Sequence, residues 1–221
     1  TYIVNHAEDE VIFVDRSLLG LLVPRVGEFN TVKHIVVMDD GVPNEIPSFD
    51  GGPEVHDYEE LLAGAERTEF RCADEWAAAS MCYTSGTTGN PKGVTYTHRS
   101  TYLHTMAAML ADTIGLTEAD VILPVVPMFH ANAWGLAHAA VASGAKLVQP
   151  GPDLSPGTLA RLIEEEKVTL AAGVPTIWMG VVEELEGRDT SALRVVPCGG
   201  SAVPTSLSKR FEEVTGLPIL Q

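Results

Sequence analysis

Short apolar runs alternate with helical stretches along almost the whole chain, and this alternation limits the possible folds more than any other feature. The runs are Glu10–Asp15, Thr31–Met38, Asp120–Val126, Ala145–Gln149, Val168–Val174, Leu193–Cys198 and Leu217–Leu220. Each has strand length, and the segments between them carry helix chemistry. Ser155 and Pro156 read as an N-cap and first helical residue, followed by Leu159, Leu162 and Ile163 at helical spacing. Pro204 opens another helix, with Leu207, Phe211 and Val214 as its apolar stripe and Gly216 at its end. Leu103, Met106, Ala107, Leu110 and Ile114 make the stripe of a third. The expected class is therefore α/β, a mostly parallel sheet layered with helices.

Asp39–Tyr58 interrupts the pattern. It holds Gly41, Pro43, Pro47, Gly51, Gly52 and Pro53 among acidic residues and reads as a long surface connection. The chain is expected to divide into a first α/β portion, residues 1–70, ending in this Pro/Gly-rich acidic region, and a second, residues 71–221.

Charge narrows the partners. With 14 Lys+Arg against 30 Asp+Glu in 221 residues, the net charge is −16, which disfavours nucleic acid and anionic membranes. No apolar run approaches the ~18 residues of a membrane span; the longest, Val121–Phe129, is broken by Pro124 and Pro127. No signal-peptide pattern is present. Cys72, Cys82 and Cys198 are odd in number and widely spaced. That argues against a disulfide framework or a zinc site and fits a reducing cytoplasm. A start at Thr1 and a stop at Gln221, directly after an apolar run, read as a piece of a longer protein.

The sharpest local signal is Tyr83-Thr84-Ser85-Gly86-Thr87-Thr88-Gly89-Asn90-Pro91-Lys92-Gly93. Its glycines free the backbone to bring N–H groups near a ligand, its hydroxyls add donors, and Lys92 adds a positive charge. Together they suit phosphate, although the same residue types also build ordinary turns. A Walker A loop would put Gly-Lys-[Ser/Thr] together before a helix. Here Gly93–Thr97 continues as a strand, giving a strand–loop–strand arrangement. No G-x-G-x-x-G follows a strand, so a dinucleotide fold is unsupported.

This loop resembles the phosphate-loop signature of the adenylate-forming, AMP-binding enzymes. Three further stretches resemble that family in order and spacing. Pro124–Gly135, with Phe129-His130-Ala131-Asn132-Ala133-Trp134, is similar to the segment lining the acyl pocket. Gly173-Val174-Pro175-Thr176 is similar to the turn before a pocket helix, and Cys198-Gly199-Gly200-Ser201-Ala202 to the strand-end turn touching adenine. Within that family the chain resembles the medium- and long-chain fatty acyl-CoA synthetases, partly through Trp134, and residues 71–221 would be the AMP-binding subdomain, truncated at its C-terminal end.

The resemblance implies a reaction that joins a carboxylate to the α-phosphate of ATP and then passes the acyl group to coenzyme A. Thr84 would offer its hydroxyl to Mg²⁺, while Ser85, Gly86, Thr87, Thr88 and Gly89 wrap the phosphates. Lys92 and His130 would be catalytic, the first balancing charge on pyrophosphate and the second positioning the reacting groups. Gly199, Gly200, Ser201 and Gln221 would meet the nucleotide, and His130, Ala131, Gly173 and Val174 the acyl pocket, with Trp134 as its gate. His98, His104 and His138 read as structural. Small residues around Phe129-His130, and no Asp to pair an ammonium, favour an apolar acid.

The implied partners are a fatty acid, ATP and CoA, with a homodimer as a further expectation, and the implied location is the cytoplasm. A second Mg²⁺-ligating Glu, a ribose-binding Asp and a catalytic Lys of the family do not occur in these residues, so the piece alone is expected to be inactive. A ligase for a short-chain or aryl acid, a fatty acyl-AMP ligase, and a non-catalytic nucleotide- or acyl-binding module remain open.

Overall fold

Parallel pairing dominates the sheets, as the alternation requires. A computed structural model of the chain describes residues 1–85 and 89–221. Two compact units result, one of Thr1–Cys72 together with Gly89–Gly93, the other of Ala73–Ser85 with Val94–Gln221.

In the first unit α1 (Tyr2–Ala7), β1 (Val11–Asp15), α2 (Leu19–Leu22), β2 (His34–Met38), β3 (Glu54–Asp57) and α3 (Tyr58–Gly64) follow in order. The strands form a parallel sheet ordered β1-β2-β3. Ile35 and Val37 of the central strand are fully buried and pack with Val14, Leu19 and Val26. β3 corrects the reading of Asp39–Tyr58 as connection throughout. Its sequence Glu-Val-His-Asp has one apolar residue and no visible period, so the backbone of β2 supplies what the side chains do not signal. Asp57 then caps α3, its carboxylate accepting from the backbone N–H of Glu59 and Glu60.

The remaining elements are β4 (Ala78–Thr84), β5 (Lys92–Thr97), α4 (His98–Met109), β6 (Val121–Pro124), the single turn α5 (Ala131–Trp134), α6 (Leu136–Ser143), β7 (Lys146–Leu147), α7 (Pro156–Glu165), β8 (Leu170–Ala172), α8 (Pro175–Glu184), β9 (Val196–Pro197), α9 (Thr205–Thr215) and β10 (Ile219–Leu220). β4 pairs with β5. β7, β6 and β8 form a parallel sheet in that order. Parallel bridges Leu170–Val195 and Gly173–Cys198 carry it on to β9, which pairs with β10.

Helices cover both faces. On one, Leu123, Ala171 and Val196 meet Leu159 and Ile163 of α7, Trp178 and Val181 of α8, and Leu207 and Phe211 of α9. The rings of Trp178 and Phe211 meet edge to face at 6.0 Å. On the other, Ile122, Leu170 and Ala172 meet Leu136, Ala139 and Ala140 of α6, and Ala108 of α4.

Two expectations about helices need correcting. α4 forms, but Leu103, Met106 and Leu110 are exposed, and Thr105 and Ala108 are its buried residues. It meets the core through Ala108 and Met109, and of the expected stripe Ile114 packs there. Ser155 does occupy the N-cap of α7, yet its side chain makes no capping bond. Asp153 organises that end instead, accepting from Ser155 N at 2.9 Å and Thr158 Oγ1 at 2.6 Å.

One buried carboxylate joins the beginnings of three strands. Asp120, 4% exposed, precedes β6. It accepts from Arg194 Nε at 2.7 Å and Nη2 at 2.9 Å, Thr169 Oγ1 at 2.6 Å and Thr117 N at 2.9 Å. Arg194 also donates to the carbonyls of Ile114 and Gly115. Burial pushes the Asp120 pKa up, but hydrogen bonds from Arg194, Thr169 and Thr117 outweigh it and hold the group at about 2. Because the folded value lies below the unfolded one, this contribution is present above about pH 4 and is lost as pH falls toward 2. Asp120→Asn should therefore cost roughly 2–4 kcal/mol at neutral pH by leaving Arg194 unpaired. Urea titrations of wild type and variant should converge as pH falls from about 4 to 2, and a constant gap across that range would contradict this assignment.

Candidate active site

A ligand crevice in an open parallel sheet lies at the carboxyl ends of its strands. Here the chain leaving β6 runs through Phe129 and His130, the chain leaving β8 through Gly173 and Val174, and that leaving β9 through Cys198 to Ser201. Backbone bonds hold these exits side by side. Val125 N donates to Ala172 O at 2.8 Å, Gly173 N to Pro197 O at 3.2 Å, and Cys198 N to Leu220 O at 2.8 Å, just before Gln221.

The most unusual backbone lies after β6. Ala131, Asn132, Ala133 and Trp134 have φ of +48°, +51°, +50° and +56°, and Gly135 continues at +73°. This is a left-handed turn built from L-residues, at roughly 1–2 kcal/mol per residue. Such a turn persists only when its surroundings over-determine it. Asn132, the residue type that tolerates this conformation best here, is held from both ends of its amide: Nδ2 donates to Ser80 Oγ at 3.0 Å and Oδ1 accepts from Cys82 Sγ at 3.4 Å. Ala133 is fully buried. His104 Nε2 lies 2.9 Å from the carbonyl oxygen of Trp134 and donates to it. Gly135 is required twice, by its positive φ and because a Cβ there would lie 2.4 Å from His104 Cδ2.

The turn directs the Trp134 ring across the crevice. A Cβ on Gly199 would lie 3.3 Å from that ring, and one on Gly200 would lie 3.3 Å from Val174 Cγ1. Thus Trp134, Gly199, Gly200 and Val174 are brought together, while Gly173 is buried against Trp178. Behind the turn lies a cavity of about 400 Å³ lined by Tyr96, Ser100, Thr101, His104, Thr105, Ala131, Asn132, Trp134, Gly135 and His138. Among the described residues its lining has no carboxylate. Among the described residues, Thr101 Oγ1 is buried without a hydrogen-bond partner.

The other candidates are more open. His130 is exposed, and its backbone N–H donates to Pro127 O at 3.1 Å. Thr84 ends β4 half-buried, Ser85 and Gly89 are exposed, and Lys92 is exposed at the start of β5. Gly86, Thr87 and Thr88 lie outside the described residues. Ser201 and Gln221 are exposed. Burial pushes the Cys198 thiol pKa up.

Sequence reasoning missed the supporting side chains Ser80, Cys82, Asn132 and Thr101, and read His104 and His138 as structural. His104 does have a structural task, holding the turn, but both histidines also face the cavity. An Asn within an otherwise small-residue helix start was the one available sign of left-handed backbone.

The AMP-binding enzyme family model matches residues 1–221. The chain belongs to the AMP-binding enzyme family. A long-chain-fatty-acid–CoA ligase of Thermus thermophilus is 49% identical over 215 residues, 96% of this chain and 38% of that protein. A medium-chain-fatty-acid–CoA ligase of Ectopseudomonas oleovorans is 43% identical over 223 residues, all of this chain and 40% of that one. Among solved structures, a long-chain-fatty-acid-CoA ligase from Archaeoglobus fulgidus superposes with a TM-score of 0.80 at 25% identity, over 99% of this chain and 41% of its own. The chain thus spans about two-fifths of the length of the curated relatives it matches.

The handedness of the turn can be tested by the sign of one substitution. Glycine inside a right-handed helix costs roughly 0.5–1 kcal/mol relative to alanine. At Ala131, with its positive φ, Ala131→Gly should instead be neutral or stabilising in thermal melts. A loss of about 1 kcal/mol would indicate right-handed backbone.

Proposed function

We propose that this chain is the nucleotide- and acid-binding part of a fatty acid–CoA ligase. In the reaction a carboxylate oxygen attacks the α-phosphorus of ATP and pyrophosphate leaves. The CoA thiol then attacks the acyl carbonyl, the carbon–sulfur bond forms and AMP departs. The observation that carries this reading is the carboxylate-free cavity bounded by Trp134, whose ring lies against Gly199 at the carboxyl edge of the sheet. A lining without Asp or Glu gives an ammonium no partner and suits an apolar acyl chain. The fatty-acid ligases among its relatives support the same choice.

Two anions must meet for the first step, so these residues act by positioning and charge balance. Gly199, Gly200, Ser201 and Gln221 form the adenine side, and the stretch from Thr84 to Gly89 the phosphate side. Lys92 offsets charge on the departing pyrophosphate. His130 orients the carboxylate against the α-phosphate. Ala131, Gly173 and Val174 shape the mouth of the acyl pocket, and Trp134 gates it. A neutral hydroxyl such as that of Thr84 fits Mg²⁺, which takes few protein oxygens and completes its shell with water and phosphate oxygens. When bound, the ion neutralises phosphate charge.

The protein works in the cytoplasm in this reading. No helix among the described residues is long and apolar enough to cross a membrane, and Cys72, Cys82 and Cys198 are unpaired.

Two experiments on the full-length protein test the roles. Thr84→Val and Lys92→Ala should slow pyrophosphate release by about 10²-fold, as loss of a charge-stabilising donor does elsewhere, and slow thioester formation from supplied acyl-adenylate much less. Equal losses in both half-reactions would remove the phosphate loop from the first step. Trp134→Ala should change how kcat/KM depends on acyl length, where each methylene is worth ~0.8 kcal/mol, or about fourfold. A uniform drop across all lengths, with a large fall in melting temperature, would make Trp134 a packing residue.

A further inference from the structure

The first unit holds a cluster that adenylate chemistry does not use. His34 opens β2, and Glu54 and His56 lie two residues apart on β3. Parallel register sets His34 beside Glu54 and Val36 beside His56. Residues i and i+2 of a strand share a face, so all three polar side chains project on one side of the sheet. Ile35 and Val55 point to the other, where they join the apolar cluster.

Their donor atoms converge. His34 Nδ1 lies 3.1 Å from His56 Nε2. Glu54 Oε2 lies 3.5 Å from His34 Nδ1 and 3.8 Å from His56 Nε2. The two imidazole nitrogens face each other and the Glu54 carboxylate faces both, with all three ligand atoms within 4.8 Å of one another. A cation between them would take one lone pair from each.

We propose that His34, Glu54 and His56 bind a divalent first-row transition ion of the Zn²⁺ class and so clip β2 to β3. Ligands about 2.0–2.1 Å from a tetrahedral ion are about 3.3–3.4 Å apart, which is the spacing these atoms approach. Two imidazoles and one carboxylate select Zn²⁺, Co²⁺ or Cu²⁺ over Mg²⁺, which prefers oxygen. Lys33, the adjacent cation, is paired with Glu10 at 2.5 Å. A broad groove lined by Lys33, His34, Asp50 and Glu54 opens the cluster to solvent, leaving water to complete the coordination.

The test uses full-length protein stripped with chelator and titrated with Co²⁺, then with Zn²⁺ in competition. One equivalent of Co²⁺ should give visible bands of a low-coordinate nitrogen–oxygen site, displaced by Zn²⁺. His34→Ala and His56→Ala should abolish those bands, Glu54→Gln should weaken binding at least tenfold, and His98→Ala should leave binding intact. Zn²⁺ should raise the melting temperature of wild type but not of His34→Ala. Circular dichroism of each apo variant separates lost binding from lost fold, and Glu54→Gln preserves shape if an alanine variant unfolds. Absence of bands at millimolar Co²⁺, or bands that persist unchanged in folded His34→Ala and His56→Ala, would overturn the site.

Discussion

Asp120 sits where the larger sheet is fastened. Its carboxylate receives Arg194 from the approach to β9, Thr169 from the approach to β8, and Thr117 from the loop before β6. The amino ends of three parallel strands are thereby locked at one level. Strands fixed at one end deliver their other ends in register, and that is where Val125, Gly173 and Cys198 are bonded to neighbouring exits. The crevice at the carboxyl edge depends on a charge cluster at the opposite edge. Such a cluster is stabilising because each lone pair of the buried acid is used and Arg194 reaches solvent with part of its side chain.

Rigidity at the sheet edge is what the left-handed turn requires. Ala131–Trp134 stores backbone strain that a mobile segment would release by reverting to ordinary helix. Ser80 and Cys82 on β4, His104 on α4 and the buried methyl of Ala133 each oppose that reversion. In return the turn sets the Trp134 indole against Gly199 while its own backbone forms one wall of the cavity. Strain, aromatic placement and cavity are one arrangement.

Much of the architecture was legible because it follows from periodicity. Every apolar run read as a strand contains one, since a buried parallel strand must be apolar on both faces. β3 was not legible, because Glu54-Val55-His56-Asp57 is polar and pairs through its backbone. The stripe of α4 was misjudged for a related reason: periodicity reports an apolar face but not which neighbour is near enough to cover it, and Thr105 and Ala108 permit the closer approach. At the candidate site, glycines and the Phe129–Trp134 segment stood out by composition. Its supports, Ser80, Cys82 and His104, are separated from Asn132 and Trp134 by tens of residues, and no local pattern marks them. The same limit hid His34, Glu54 and His56, which only strand register unites.

On the proposed reading the crevice and the cavity form one continuous site, nucleotide on the Gly199–Gly200 side and acyl chain beyond Trp134. A crystal structure of the full-length protein with a non-hydrolysable acyl-adenylate mimic, an N-acylsulfamoyl adenosine bearing a medium-length chain, tests it most directly. The adenine is expected against Gly199 and Gly200, with the chain passing Trp134 into the space bounded by His104, Asn132 and His138. A chain that leaves the crevice elsewhere, with Trp134 unmoved and that cavity filled by water, would contradict it.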